Sequence, residues 1–91
     1  VPSAPPPDWV LGRRRVIGDQ IRAARREAGL SQEKLAELAG MDRQSINRIE
    51  QGHQAALIDN LIRIADALGV PLAELVRDGP AAATGEAVGG P

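Results

Sequence analysis

The stretch MDRQSINRIEQG, residues 41–52, gathers side chains that could do recognition chemistry. A helical period places Arg43, Gln44, Asn47, Arg48 and Gln51 along one stripe, with Ile46 and Ile49 on the other side. Every member of the stripe can donate hydrogen bonds. A guanidinium can pair bidentately with O6 and N7 of guanine, and a carboxamide with N6 and N7 of adenine; each pairing supplies about 1–3 kcal/mol of base discrimination. The plain alternative is a solvated polar face, and the rest of the chain must decide between the two.

Catalytic chemistry has little to work with. The chain has no cysteine and a single histidine, and no loop collects Asp, His and Ser into a nucleophile–base set. An enzyme, a resident metal and a bound cofactor are therefore not expected. Nor is small-molecule sensing, because so short a chain has no room for a sizeable pocket.

The stripe needs elements to hold it. A chain of 91 residues suits one domain, which buries only about 60% of the surface its unfolded form exposes. Trp9 is the only aromatic residue, and the wealth of Ala, Leu, Ile, Arg and Glu favours helices over sheets. Residues 1–12, with four prolines in the first eight, read as an extended arm that Trp9, Val10 and Leu11 pin back onto the domain. The first helix is expected from Arg13 to Ala28 on Ile17, Ile21 and Ala24, with Gly29 as its stop. Ser31 caps a second helix whose apolar stripe is Leu35, Leu38 and Ala39. Gly40 ends it, and Asp42 caps the third, which Gly52 closes. A fourth helix over 57–68 faces inward with Leu57, Leu61, Ile64, Ala65 and Leu68. Pro71 opens a fifth, which buries Leu72, Leu75 and Val76. Residues 79–91, rich in Gly, Ala and Pro, read as a flexible tail.

Net charge is −1, but it is unevenly spread: six arginines and one acid lie between Arg13 and Arg26, against three acids and one base over residues 66–78. That asymmetry points weakly to a polyanion near the N-terminal half. No apolar run reaches the roughly 20 residues of a membrane helix, and VPSAPPPDWV lacks the features of a secretory signal. A reducing cytoplasm is the expected compartment. The first residue is Val rather than Met, so a longer natural chain is allowed for.

Between the second and third helices only Gly40, Met41 and the capping Asp42 intervene. Two helices meeting at about 90–120° through a short Gly-containing turn make a helix-turn-helix, whose second helix enters the DNA major groove. An ordinary helical hairpin shares the same spacing.

At this point the chain resembles a known family. LSQEKLAELAGMDRQSINRIEQG is similar to the helix-turn-helix core of phage lambda-type repressors and Cro, the XRE-type transcriptional regulators. LIRIADALGVPLAEL resembles their fourth and fifth helices. The likeness spans about residues 13–78, with Gln32, Ala36, Gly40, Ser45, Ile46, Ile49, Glu50 and Gly52 in register. One departure is Ala55-Ala56, where family members commonly carry a proline. The resemblance implies an all-α, five-helix lambda-repressor-like domain.

It also implies roles. Arg43, Gln44 and Arg48 are the leading base readers, with Asn47 beside them. Gln32, Ser45, Gln51, His53 and Arg22 are expected at phosphates, joined by Arg13–Arg15, and Gln32 is expected to brace Gln44. Arg25 and Glu50 both lie on inward helix faces, and two buried charges are tolerable only if they meet, so a salt bridge is expected; the family agrees. The implied partner is double-stranded DNA, a palindromic operator bound by a homodimer through Leu72, Leu75 and Val76. The other reading is an antitoxin-type module that binds a toxin protein and regulates its own promoter.

Overall fold

Capping side chains and glycines divide the chain into short helices. The computed structural model describes residues 4–78, which form α1 (Asp8–Glu27), α2 (Gln32–Ala39), α3 (Arg43–Glu50), α4 (Ile58–Leu68) and α5 (Leu72–Val76), with no strand among the described residues. Ser31 Oγ accepts from the Lys34 N–H at 2.9 Å at the start of α2, and Asp42 does the same for α3 through the Ser45 N–H at 3.0 Å. Gly40 ends α2 at φ 69°, and the Met41 N–H turns back to the Ala36 carbonyl at 2.9 Å. A left-handed residue there suits glycine, and it lets α3 start three residues later, at Arg43.

One core joins the five helices. Ile21 of α1, Leu35 of α2, Ile46 of α3, Ile64 of α4 and Leu75 of α5 are each at most 1% exposed, and Ala36, Ala39, Ile49 and Ala65 fill between them. Every helix thus gives at least one side chain that only the whole bundle can bury, which ties the helices into one cooperative unit.

Several expectations fail in detail. Residues 8–12 are not extended, because α1 begins at Asp8. Pro7 suits that start: its carbonyl accepts from the Val10 N–H at 3.0 Å, and Asp8 favours the positive end of the helix. Trp9 is 70% exposed and does not anchor the arm, whereas Val10 and Leu11 are half-buried. Winding this turn into helix sends its three apolar residues in different directions, and Trp9 falls on the open side. Leu38 and Leu57, placed inward by their spacing, are 52% and 70% exposed. Leu57 is the N-cap of α4, where Ala55 and Ala56 precede it, and no side chain caps that end. The tail expected over residues 79–91 lies outside the described residues.

α1 crosses α3 at Gly18, and the approach is close. A Cβ built there would lie 2.4 Å from the Glu50 carbonyl oxygen and 2.5 Å from that of Ile49. Only a residue without a side chain lets the two backbones touch.

Candidate nucleic-acid interface

Asp42 fixes where α3 begins. Its Oδ2 accepts from the Ser45 N–H at 3.0 Å, and its Oδ1 accepts from the Ser45 hydroxyl at 2.7 Å. The Ser45 hydroxyl, expected at a phosphate, is thus engaged within the cap. These bonds, the hydroxyl's first and the N–H second, hold the Asp42 carboxyl below its ordinary value of 3.8. The cap's contribution to stability is then complete above that ordinary value and is lost as pH falls through the lower folded one. Asp42→Ala is accordingly expected to lower Tm near neutral pH, with the gap to wild type narrowing as pH drops below 3.8. Thermal melts of both proteins across that range check this; a gap independent of pH contradicts it.

Beyond the cap, α3 has two sides. Ile46, Ile49 and Glu50 are buried, while Arg43, Gln44, Arg48 and Gln51 are exposed. The exposed four make no side-chain hydrogen bond or ion pair among the described residues. Arg43 and Gln44 occupy the first turn, next to the Gly40 corner. Asn47, half-buried, lies at the margin of this face on the side of α2.

Glu50 organises the reverse side, and its side chain is fully buried. Oε2 accepts from Arg25 Nε at 2.7 Å and Oε1 from Arg25 Nη2 at 3.0 Å, a two-pronged pairing. Arg25 Nη1 also donates to the Leu30 carbonyl at 2.9 Å. The Glu50 hydrogen bond raises the Arg25 pKa further, against the opposing effect of burial. Arg22, expected at a phosphate, reaches the same place: its Nε is 3.6 Å from Glu50 Oε1, and its Nη2 donates to the Glu50 carbonyl at 3.4 Å.

Gln32, the first residue of α2, joins two side chains of α3. Its Nε2 donates to Glu50 Oε1 at 3.1 Å, and its Oε1 accepts from Asn47 Nδ2 at 3.2 Å. The residue that Gln32 braces is therefore Asn47 and not Gln44, because Asn47 lies on the α2 side of α3 while Gln44 points into the open. His53, expected at a phosphate, is exposed, and its backbone N–H donates to the Arg48 carbonyl at 2.9 Å and closes α3, which leaves the imidazole for that role. Arg13 forms an exposed pair with Asp78 at 2.6 Å. Leu75 belongs to the core, and Leu72 and Val76 are half-buried. Among the described residues no cluster of three metal-ligating side chains occurs, and no helix is long and apolar enough to cross a membrane.

Sequence reasoning missed the Gly18 contact and the Gln32–Asn47 bond. Gly18 carried a usable signal, a glycine inside a helix on the same side as Ile21 and Arg25. Nothing in the sequence distinguishes Asn47 from Gln44 as the partner of Gln32.

The chain is similar to known proteins in sequence and in fold. The helix-turn-helix family model HTH_3 matches residues 21–75. The HTH-type transcriptional regulator y4dJ of Sinorhizobium fredii is 35% identical over 66 residues, which is 72% of this chain and 86% of that protein. A putative HTH-type regulatory protein of Pyrococcus furiosus is 36% identical over 58 residues, but these make up only 18% of its length. Among solved structures, the restriction-modification controller protein C.AhdI of Aeromonas hydrophila superposes with a TM-score of 0.69 at 34% identity, over 70% of this chain and 97% of that one. The hypothetical transcription factor NHTF of Neisseria gives 0.72 at 30% identity, over 91% and 92%. The chain belongs to the XRE-type helix-turn-helix family, HTH_3, among the HTH-type transcriptional regulators.

Proposed function

We propose that this protein is a sequence-specific regulator that represses transcription by occupying an operator, with α3 in the major groove of duplex DNA. One observation carries the reading. Arg43, Gln44, Arg48 and Gln51 stand exposed and, among the described residues, without a side-chain hydrogen bond or ion pair, on a helix whose other side is held by the core and by Arg25. Free donors on a rigid support suit base edges, which reward geometry fixed before binding.

Phosphate contacts would set the register. The N-terminal backbone N–H groups of α2, the exposed Arg15, Gln51 and the His53 imidazole supply them in this proposal. Arg22 can add its charge from beside Glu50. A domain this small makes few contacts, so a homodimer on a two-fold operator is expected, with half-sites about 34 Å apart. Ile58 and Ile62 of α4, 65% and 50% exposed, offer apolar surface for pairing besides Leu72 and Val76. The symmetry of the DNA sequence selected by the protein reports on that pairing.

Arg43→Ala tests the reading. It is expected to lose discrimination at one base position by about 1–3 kcal/mol, leaving preferences elsewhere unchanged. Competition binding against single-base operator variants measures this. Uniform weakening on every sequence would make Arg43 a phosphate contact instead.

A further inference from the structure

The buried Glu50 carboxylate has only acceptor atoms, and this sets the direction of each hydrogen bond leading away from it. Gln32 must present its amide nitrogen to Glu50 Oε1, at 3.1 Å, and so turns its oxygen toward α3. That oxygen can only accept, so Asn47 must present its own amide nitrogen, at 3.2 Å. The Asn47 amide is thereby oriented as well. Its Oδ1 takes no hydrogen bond among the described residues and is not among the buried polar atoms left without a partner, so it remains open to an incoming donor.

A free asparagine can turn its amide by half a rotation and offer a donor or an acceptor equally well. This one cannot without placing two amide nitrogens, or two oxygens, against each other. Arg25 holds Glu50 from behind through two bonds, so the start of the relay is rigid.

We propose that the relay Glu50–Gln32–Asn47 makes Asn47 a specificity-determining residue that leads with an acceptor. Its oxygen would accept from an amino base, adenine through N6 or cytosine through N4, and the second Nδ2 hydrogen, which Gln32 leaves free beside that oxygen, would reach adenine N7; guanine and thymine present a keto oxygen to Oδ1 in place of an amino group. Gln32 is the positioning residue, acting through Asn47 rather than through DNA. The inference rests on the proposed reading of α3 as the base-reading helix. It adds the chemical class of base at one position and the reason for it.

Selection from random duplexes, run on wild type and variants whose folding is confirmed by thermal melts, tests it. Wild type is expected to show one position with an amino-over-keto preference of about tenfold, the size one well-placed contact supports. Asn47→Ala should flatten that position alone. Gln32→Met keeps the side-chain volume but cannot hold the amide, and should flatten the same position while the preferences set by Arg43 and Arg48 persist. Adding Asn47→Asp to Gln32→Met supplies an obligate acceptor and should restore the preference, which a merely structural role for Gln32 would not produce. A keto base at the Asn47 position overturns the inference. So does loss of no position in Asn47→Ala, or a Gln32→Met variant that weakens all sequences evenly with the preference intact. Absence of any selected sequence in wild type would remove the DNA reading itself, a result distinct from a flat profile at one position.

Discussion

Glu50→Ala is expected to destabilise the domain by about 3–5 kcal/mol, the cost of breaking a buried ion pair by removing one partner. The side chain is fully buried and accepts from two Arg25 nitrogens and from Gln32. Removing it leaves the Arg25 guanidinium, nearly all of it buried, without a counter-charge, and takes from Arg22 the carboxylate 3.6 Å away. Since small domains are stable by only about 5–15 kcal/mol, the variant should melt far below wild type. Replacing both partners by apolar residues should cost less than either single change, because no charge is then left stranded. Chemical denaturation of the single and double variants measures both. An unchanged midpoint for Glu50→Ala would show that the pair contributes nothing to the fold.

The second large effect concerns Gly18. Gly18→Ala places a Cβ 2.4 Å from the Glu50 carbonyl oxygen and 2.5 Å from that of Ile49. Both obstacles are backbone, so no side chain can swing aside; α1 and α3 must separate. Overpacking of this kind costs about 1–3 kcal/mol, and a contact between two backbones belongs at the upper end. Because the strained atoms lie in the last turn of α3, DNA discrimination should fall together with stability. Gly12→Ala is the control: nothing lies within 4 Å of its Cβ, and a glycine replaced inside a helix should gain about 0.5–1 kcal/mol. Denaturation curves that place Gly18→Ala beside Gly12→Ala would contradict the close-packing account.

Much of the frame was legible because its signals are local. Ser31 and Asp42 mark where helices begin, and Gly29, Gly40, Gly52 and Gly69 all take positive φ where a helix has just ended. Arg25 and Glu50 could be matched because each is a charge on an inward face, and buried charges have few tolerable partners. What stayed hidden depends on where neighbouring helices lie. Leu35, Leu38 and Ala39 all satisfy the helical period, yet the bundle covers only one edge of that stripe and leaves Leu38 half in solvent. Trp9 looked like an anchor because its size favours burial, but the turn that carries it is helical and points it outward. Gln32 had two carboxamides in reach along α3, Gln44 and Asn47, and only the angle between α2 and α3 decides for Asn47.

On the proposed function, α3 reads base edges. This is tested most directly by selection of random duplexes by the wild-type protein, followed by affinity measurements on the selected sequence across salt concentrations. An enriched two-fold symmetric sequence is expected, with an affinity that falls with salt, log Kobs against log salt having a slope of roughly −0.9 for each phosphate neutralised. No enriched sequence together with a shallow salt slope would contradict it.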